Sequence, residues 1–463
     1  MTTPLWTSEQ VAAAAGGRAT APFAADGVSI DTRTLAPGDL FVALAGERDG
    51  HDFIPAALAA GSPGALAAHP GAGPRVVVGD TLAGLRRMGD AARLRAVGAR
   101  RGAVTGSVGK TGVTQAVLAG LERAGPAHGS VQSYNNHIGV PLTLARMPAA
   151  TKRAIFEIGM NHAGEIAPLA RMVAPHAVAV TNVEAVHVEH FEDGEAGVAR
   201  AKAEIFAGLE RGGVAILNAD NRWFDYLKAE ARRAGARLRT FGAAAGADAR
   251  LTRFSPAPGG ASVEAGLDGQ SVEFPIRQSA AHFGPMSLCV LLMLRALDVD
   301  LATALAALAD FEPLEGRGAE RRIRVPGGAV TLIDESYNAS PVSMAAALAA
   351  LGARPVAGRR IAALTDMLEL GASSAERHAG LAEPIAAARV DRVFCAGLAM
   401  ESLWQALPAG RRGAWAPSAA DLAPRLAAAL APGDVVMVKG SKASKATLLV
   451  DAVAALDAVR EEV

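Results

Sequence analysis

The residues of this chain whose types and spacing point most directly to chemistry are Thr105-Gly106-Ser107-Val108-Gly109-Lys110-Thr111. Gly106 and Gly109 let the backbone bend so that successive N–H groups face anionic oxygens, and a helix N-terminus behind them adds partial positive charge. Lys110 is then placed to reach the β- and γ-phosphates of a nucleotide, and the Thr111 hydroxyl to hold Mg²⁺. Ahead of the turn, Gly102-Ala103-Val104 reads as the end of a buried strand. Behind it, Val113, Val117, Leu118 and Leu121 recur at helical spacing. Strand, turn and helix in that order form the setting that a phosphate loop requires. One departure stands out, because the general pattern has glycine where this chain has Val104. The plainer alternative is a glycine-rich turn with an incidental lysine.

In open parallel sheets, ligands bind beyond the carboxyl ends of the strands. Several expected strands here end in a polar residue: Glu157 after Ala154-Ile155-Phe156, Asp334 after VTLI, Asp366 after IAALT, and Lys439 after VVMV, with His187 just past AVAVTNV. One such residue is ordinarily a cap or a loop hydrogen-bonder, whereas five beside a phosphate loop suggest a site. Glu157 and His187 suit metal coordination, since Mg²⁺ takes a carboxylate plus phosphates, and Asp334 could accept from ribose hydroxyls. Lys202, in AKAEIF, shares a helical face with Ile205, Phe206 and Leu209. It either snorkels at the edge of that face or sits in a poorly hydrated pocket. In the second case desolvation favours the neutral amine, which can add CO₂ to form a carbamate, an anionic ligand for Mg²⁺.

The elements that must position these groups fall into three blocks. The first, to about residue 84, has short β-like pieces (GVSIDTR, GDLFVAL, RVVVGD) and one helix near Phe53 to Ala60. The second alternates strand and helix: AIFEIGM, a helix from Glu165 to Met172, AVAVTNV, a helix from about Ala196 to Leu209, and GVAILNAD. That alternation signals βαβ units around a parallel sheet. Residues 243–278 read as a β-rich excursion before a helix from Ser287 to Ala296. The third block begins near Glu312 to Gly318 and alternates again, as a second doubly wound domain. At 463 residues with 51% hydrophobic content, the chain is long enough for two to four domains. Lys plus Arg and Asp plus Glu both number 46, a balance that argues against nucleic-acid or anionic-membrane binding. Cys289 and Cys395 are too few for a disulfide framework and suit a reducing cytosol. MTTPLWTSEQ lacks the basic start and apolar core of a signal peptide, and no stretch is apolar enough to span a bilayer. The expectation is a cytoplasmic protein without membrane insertion.

These residues resemble one family, the Mur ligases of peptidoglycan synthesis, which form amide bonds at the expense of ATP. TGSVGKT, AKAEIF and TNVEAVH are similar to its central motifs. EIGMNHAGEI, SYNNHIGVPLTL, DESYNASPVSM and DMLELG resemble its D-alanyl-D-alanine-adding branch, and DTR, PGDLFVAL and GERDGHDF resemble a UDP-sugar-binding domain. The resemblance implies a three-domain α/β fold. A UDP-muramoyl substrate domain would cover 1–84, a central ATP-binding domain with a mainly parallel sheet 85–312, and a Rossmann-like domain for the incoming dipeptide 313–463. It further implies ATP and two Mg²⁺ ions as cofactors, with UDP-N-acetylmuramoyl-tripeptide and D-alanyl-D-alanine as substrates of a monomer.

Residue by residue, the resemblance implies that Thr105, Gly106, Ser107, Val108, Gly109, Lys110 and Thr111 cradle phosphates. Glu157 and His187 would complete metal coordination, and Lys202 would be the carbamylated lysine. Asp31, Thr32 and Arg33 would meet the UDP-sugar, Asn135 and Asn136 the muramoyl group. Asp334 would sit at the ribose, Arg317 near the nucleotide phosphates, and Asn338 and Ser340 near the dipeptide. Three positions depart from the family pattern: Met286 replaces an adenine-reading Asn, Thr365 replaces Gly before DMLELG, and Gly112 stands where a hydroxyl is common. Rival readings are a sibling Mur ligase, a folylpolyglutamate synthase-like ligase, or a phosphate-loop switch protein that joins nothing.

Overall fold

The computed structural model describes residues 3–131, 133–186, 188–257 and 259–457. The chain gathers into two units, one of residues up to 183 with 199–249 and 288–307, the other of 184–198, 250–287 and 308 onward.

The first unit holds a small sheet whose strands lie in the order Arg18–Ala19, Arg75–Val77, Ala65–Ala67, Asp39–Val42, Gly27–Ser29, parallel except for the first pair. Alternation along Asp39–Val42 sends Leu40 and Val42 into one apolar cluster with Trp6, Val11 and Leu85, and Phe41 into another with Ile54 and Ala57. A larger sheet in the same unit orders Arg237–Gly242, Val214–Asn218, Ala177–Val180, Arg100–Thr105, Arg153–Glu157 and Ala127–Gly129, every neighbouring pair parallel. Strands covered on both faces should be continuously apolar, and all four residues of Ala177–Val180 are buried. The strand Arg100–Thr105 lies centrally, between Ala177–Val180 and Arg153–Glu157. Its carboxyl end therefore opens between two neighbours that carry polar residues at the same level.

The expected helix from Ala196 to Leu209 is shorter in the structure. It runs from Glu195 to Ala203 and tightens into a 3₁₀ segment, Glu204–Gly208, leaving Leu209 extended. Ile205 and Phe206 remain buried. The change coincides with Glu204, whose carboxylate accepts the N–H groups of Gly164, Ile166 and Ala167 at 2.6, 3.1 and 3.1 Å.

The second unit is built on a six-stranded sheet in the order Ala319–Val325, Gly328–Glu335, Val435–Lys439, Arg360–Thr365, Arg392–Ala396, Arg412–Ala416. Period-two alternation feeds two cores. Ala362, Leu364, Val393, Cys395 and Met437 meet Met344, Leu348 and Leu351 on one face, while Ile361, Ala363, Phe394, Val436 and Val438 meet Leu422, Leu426 and Leu449 on the other. The strand Ala319–Val325 was not anticipated. It pairs antiparallel with Gly328–Glu335, and its exposed Arg321, Arg322 and Arg324 give a short edge the charge that discourages further pairing. The β-rich excursion is present as Gly260–Leu267 and Gln270–Ile276, antiparallel around Asp268-Gly269. Both turn residues have positive φ (53° and 81°), as a two-residue hairpin loop demands. The following helix begins at Phe283, four residues before the expected Ser287, so Met286 lies within its first turn.

Candidate active site

Within the first unit, the strand Arg100–Thr105 runs through the phosphate-loop sequence into the helix Lys110–Arg123. Val104 is fully buried in the strand, opposite Ala179 and Glu157, so the bend starts only at Gly106. Gly106 has φ of 146°, and a Cβ there would lie 1.9 Å from the Thr181 hydroxyl. No other residue fits that close approach. Thr105 is buried with an unpartnered hydroxyl. Lys110 folds back so that its ammonium donates to the carbonyls of Gly106 (2.8 Å) and Ser107 (3.3 Å). Thr111 is buried in the first helical turn, its hydroxyl 3.3 Å from that of Ser133.

Sequence reasoning missed what scaffolds this loop. The Asn182 carbonyl accepts from Ser107 N–H (3.0 Å), its side-chain oxygen accepts from Val108 N–H (2.9 Å), and Thr181 Oγ1 donates to the Val108 carbonyl (2.6 Å). The available signal was position, since Thr181-Asn182 directly follows the strand Ala177–Val180.

Beside the loop, Glu157 closes its strand and is 1% exposed. One carboxylate oxygen accepts from Asn135 Nδ2 at 2.6 Å, while the other is buried with no partner. A buried, unpartnered carboxylate oxygen is costly unless something else satisfies it. Lys202 is 2% exposed, which decides against snorkelling. Burial, and then the nearby cation of Lys110, hold its amine well below the ordinary lysine range, against the opposing pull of Glu204, Glu157 and Glu165. The described residues contain no cluster of three or more His, Cys, Asp or Glu, and His187 lies outside the described residues. Of the candidate donors, Glu157 and Lys202 lie within electrostatic reach of each other, and Thr111 sits in the first turn of the helix that begins at Lys110.

Asn136 turns its side-chain oxygen to the N–H groups of Ile138 and Gly139 (3.1 and 2.9 Å), a helix-capping contact. In the small sheet's domain, Asp31 is paired with Arg33, which holds its carboxyl down to about 2. Arg33 is exposed and Thr32 half-buried.

The second unit gathers its own set. Asp334 is buried, one oxygen accepting from Gly316 N–H (3.0 Å), the other from Ser336 N–H (3.0 Å) and hydroxyl (2.6 Å). Its carboxylate thus pins the turn that carries Arg317, which narrows the ribose expectation. Arg317 lies over the Tyr337 ring at 4.1 Å, and the Lys442 ammonium lies 5.4 Å from the same ring. Asn338 is exposed, and its carbonyl accepts from Lys439 (3.0 Å), which also pairs with Glu335 (3.3 Å). Ser340 caps the helix Pro341–Ala353, accepting from Ser343 N–H at 3.3 Å.

Residues 104–285 match the Mur ligase middle domain, and residues 321–442 match the Mur ligase glutamate ligase domain. The chain is 35% identical to the UDP-N-acetylmuramoyl-tripeptide--D-alanyl-D-alanine ligase of Escherichia coli K12, covering 90% of this chain and 91% of that one. With the enzyme of the same name from Bacillus subtilis 168 it shares 31% identity over 80% of each. A crystal structure of MurF from Acinetobacter baumannii superposes with a TM-score of 0.84 at 26% identity, covering 97% of this chain and 98% of that one. MurF ligase from Thermotoga maritima, solved in complex with ADP, has the same fold, with a TM-score of 0.77 at 22% identity over 94% and 98%. With a nucleotide-type phosphate loop in its middle domain and this likeness along most of its length, the chain belongs to the Mur ligase family.

Proposed function

We propose that this protein joins D-alanyl-D-alanine to UDP-N-acetylmuramoyl-tripeptide with ATP, as the names of its relatives indicate for them, in a cytoplasmic monomer. The observation that carries this reading is the company kept by the phosphate loop. Lys202 is buried within electrostatic reach of both Lys110 and Glu157, whose second carboxylate oxygen is buried and unpartnered, and a simple nucleotide switch has no need of that arrangement. The domain limits near 84 and 312 are the ones that the resemblance implies.

Amide formation from a free carboxylate is uphill in water, so the tripeptide carboxylate must first be activated. Its attack on the γ-phosphate gives an acyl phosphate and ADP. The dipeptide amine then adds to the carbonyl, and inorganic phosphate leaves from the tetrahedral intermediate. The protein's part is positioning and charge neutralisation. The N–H groups of Gly109, Lys110 and Thr111 at the helix terminus would receive phosphate oxygens, those of Ser107 and Val108 being held by Asn182. Lys110 exchanges its loop carbonyls for the β- and γ-phosphates.

Glu157 and Thr111 fit Mg²⁺ by chemistry, an orphaned carboxylate oxygen and a hydroxyl, and a carbamate on Lys202 would add a third oxygen ligand, with His187 completing the family's set. Bound there, Mg²⁺ would supply charge neutralisation for the transferring phosphoryl group. Asn135 holds the Glu157 carboxylate in place. In the small N-terminal domain, Asp31, Thr32 and Arg33 meet the UDP-sugar. Asn136 belongs to the muramoyl site, and Arg317, Asn338 and Ser340 to the nucleotide and dipeptide sites. The test is ADP release with each substrate omitted in turn. A ligase turns over ATP only when tripeptide and dipeptide are both present, whereas steady hydrolysis without them favours the switch reading.

A further inference from the structure

The strands Arg360–Thr365 and Val435–Lys439 are parallel neighbours, with Leu364 opposite Lys439. Their carboxyl ends deliver two loops, 366–370 and 440–446, side by side. The loops are laced together: Ser441 N–H donates to the Asp366 carbonyl (3.3 Å) and Leu368 N–H to Ser441 Oγ (3.1 Å). Thr365 Oγ1 lies 2.5 Å from Ser444 Oγ, which donates to the Ser441 carbonyl at 2.5 Å. Ser444 has one proton and gives it to that carbonyl, so Thr365 is the donor to Ser444. A Cβ at Gly440 would lie 1.6 Å from Thr365 Oγ1, so the threonine is accommodated only because residue 440 is glycine.

The loop clamped in this way carries Lys442 to the Tyr337 ring, one residue from Asn338. Three cations approach this region, and two are committed. Lys439 is buried and neutralised by Glu335, and Arg317 is the cation that the ligase reading gives to the nucleotide phosphates. Lys442 is exposed and enters no ion pair with a described residue. The dipeptide brings an amine that reacts and a carboxylate that does not. A cation beside Asn338 with uncompensated charge suits the group that stays charged throughout. We propose that Lys442 binds the free carboxylate of the incoming dipeptide and that Thr365 is the positioning residue that holds its loop. This rests on the ligase reading above.

Such a grip is equal in ground and transition states, so it acts on KM rather than on kcat. The experiment compares D-alanyl-D-alanine with D-alanyl-D-alaninamide, whose carboxylate is blocked, in the wild type, Lys442→Met, Thr365→Val and Thr365→Ser. In the wild type the amide should have a KM roughly ten- to a hundredfold higher, the worth of one hydrogen bond to a charged group. In Lys442→Met the dipeptide KM should rise by the same factor and the preference for acid over amide should vanish, with the KM for ATP held. Thr365→Val should raise the dipeptide KM roughly three- to tenfold, and Thr365→Ser, which keeps the hydroxyl, should restore it. A wild type indifferent to the amide overturns the proposal. So does a Lys442→Met variant that keeps the preference, or one whose loss falls on the KM for ATP. Absence of ligation with either acceptor in the wild type overturns the ligase reading itself.

Discussion

Lys202→Met tests the electrostatics of the site without any substrate. Lys202 is 2% exposed, and burial followed by the charge of Lys110 outweighs the carboxylates of Glu204, Glu157 and Glu165, so its amine is held well below the ordinary lysine range. Unfolding releases an ordinary lysine with a pKa near 10.4, about 96% protonated at pH 9. With the native amine neutral at pH 9, the unfolded chain would take up about one proton that the native chain lacks. The sign follows from linkage: where the unfolded state binds more protons, stability rises with pH. Between the depressed native pKa and about 10.4, the wild type should gain roughly 1.4 kcal/mol per pH unit relative to Lys202→Met. The direct assay is potentiometric proton uptake on guanidinium unfolding at pH 9 in CO₂-free solution. The wild type should take up about one proton more per chain than the variant. Equal uptake would mean that Lys202 is a native ammonium ion paired with those carboxylates, and the argument for a neutral, carbamate-forming amine would collapse.

Lys110→Ala should keep the fold, since the ammonium donates to carbonyls of its own loop, and should lower kcat by roughly 10²–10³, the cost of one preorganised charge contact. Circular dichroism and ADP release together check this. Lys202→Ala should lose ligation and regain part of it in formate or acetate, which can occupy the vacated anion position; carbamate loss is read separately by ¹³C NMR after ¹³CO₂ labelling of the wild type. Met286 offers no hydrogen bond to a base, so Met286→Asn should sharpen the preference for ATP over GTP by roughly three- to tenfold in kcat/KM. An unchanged ratio would show that another group reads adenine.

The phosphate loop was legible because seven consecutive residues make the turn, whereas the close approach of Thr181 that requires Gly106 comes from the end of a strand about seventy-five residues away. The parallel sheets were legible in continuous apolar runs such as Ala177–Val180. Less legible was what depends on distant partners. Nothing in the spacing of AKAEIF announces that Glu204 accepts three N–H groups some forty residues away, and the same sequence at a solvated helix edge would have left Lys202 snorkelling. Asp334 and Ser340 were read as ligand contacts, yet their side chains also serve the turn at Gly316 and the cap of the helix Pro341–Ala353. The edge strand Ala319–Val325 escaped notice because its charged residues break the apolar pattern by which its neighbours are recognised.

The central claim, activation of the tripeptide carboxylate by phosphorylation before amide formation, is tested most directly with UDP-N-acetylmuramoyl-tripeptide labelled with ¹⁸O in its terminal carboxylate. The labelled substrate is incubated with ATP, D-alanyl-D-alanine and Mg²⁺, and the nucleotide peptide and inorganic phosphate are analysed by mass spectrometry. The account requires the mass of the pentapeptide product and one ¹⁸O atom in each phosphate released. Phosphate without the label, or ADP formed without the pentapeptide, would contradict it.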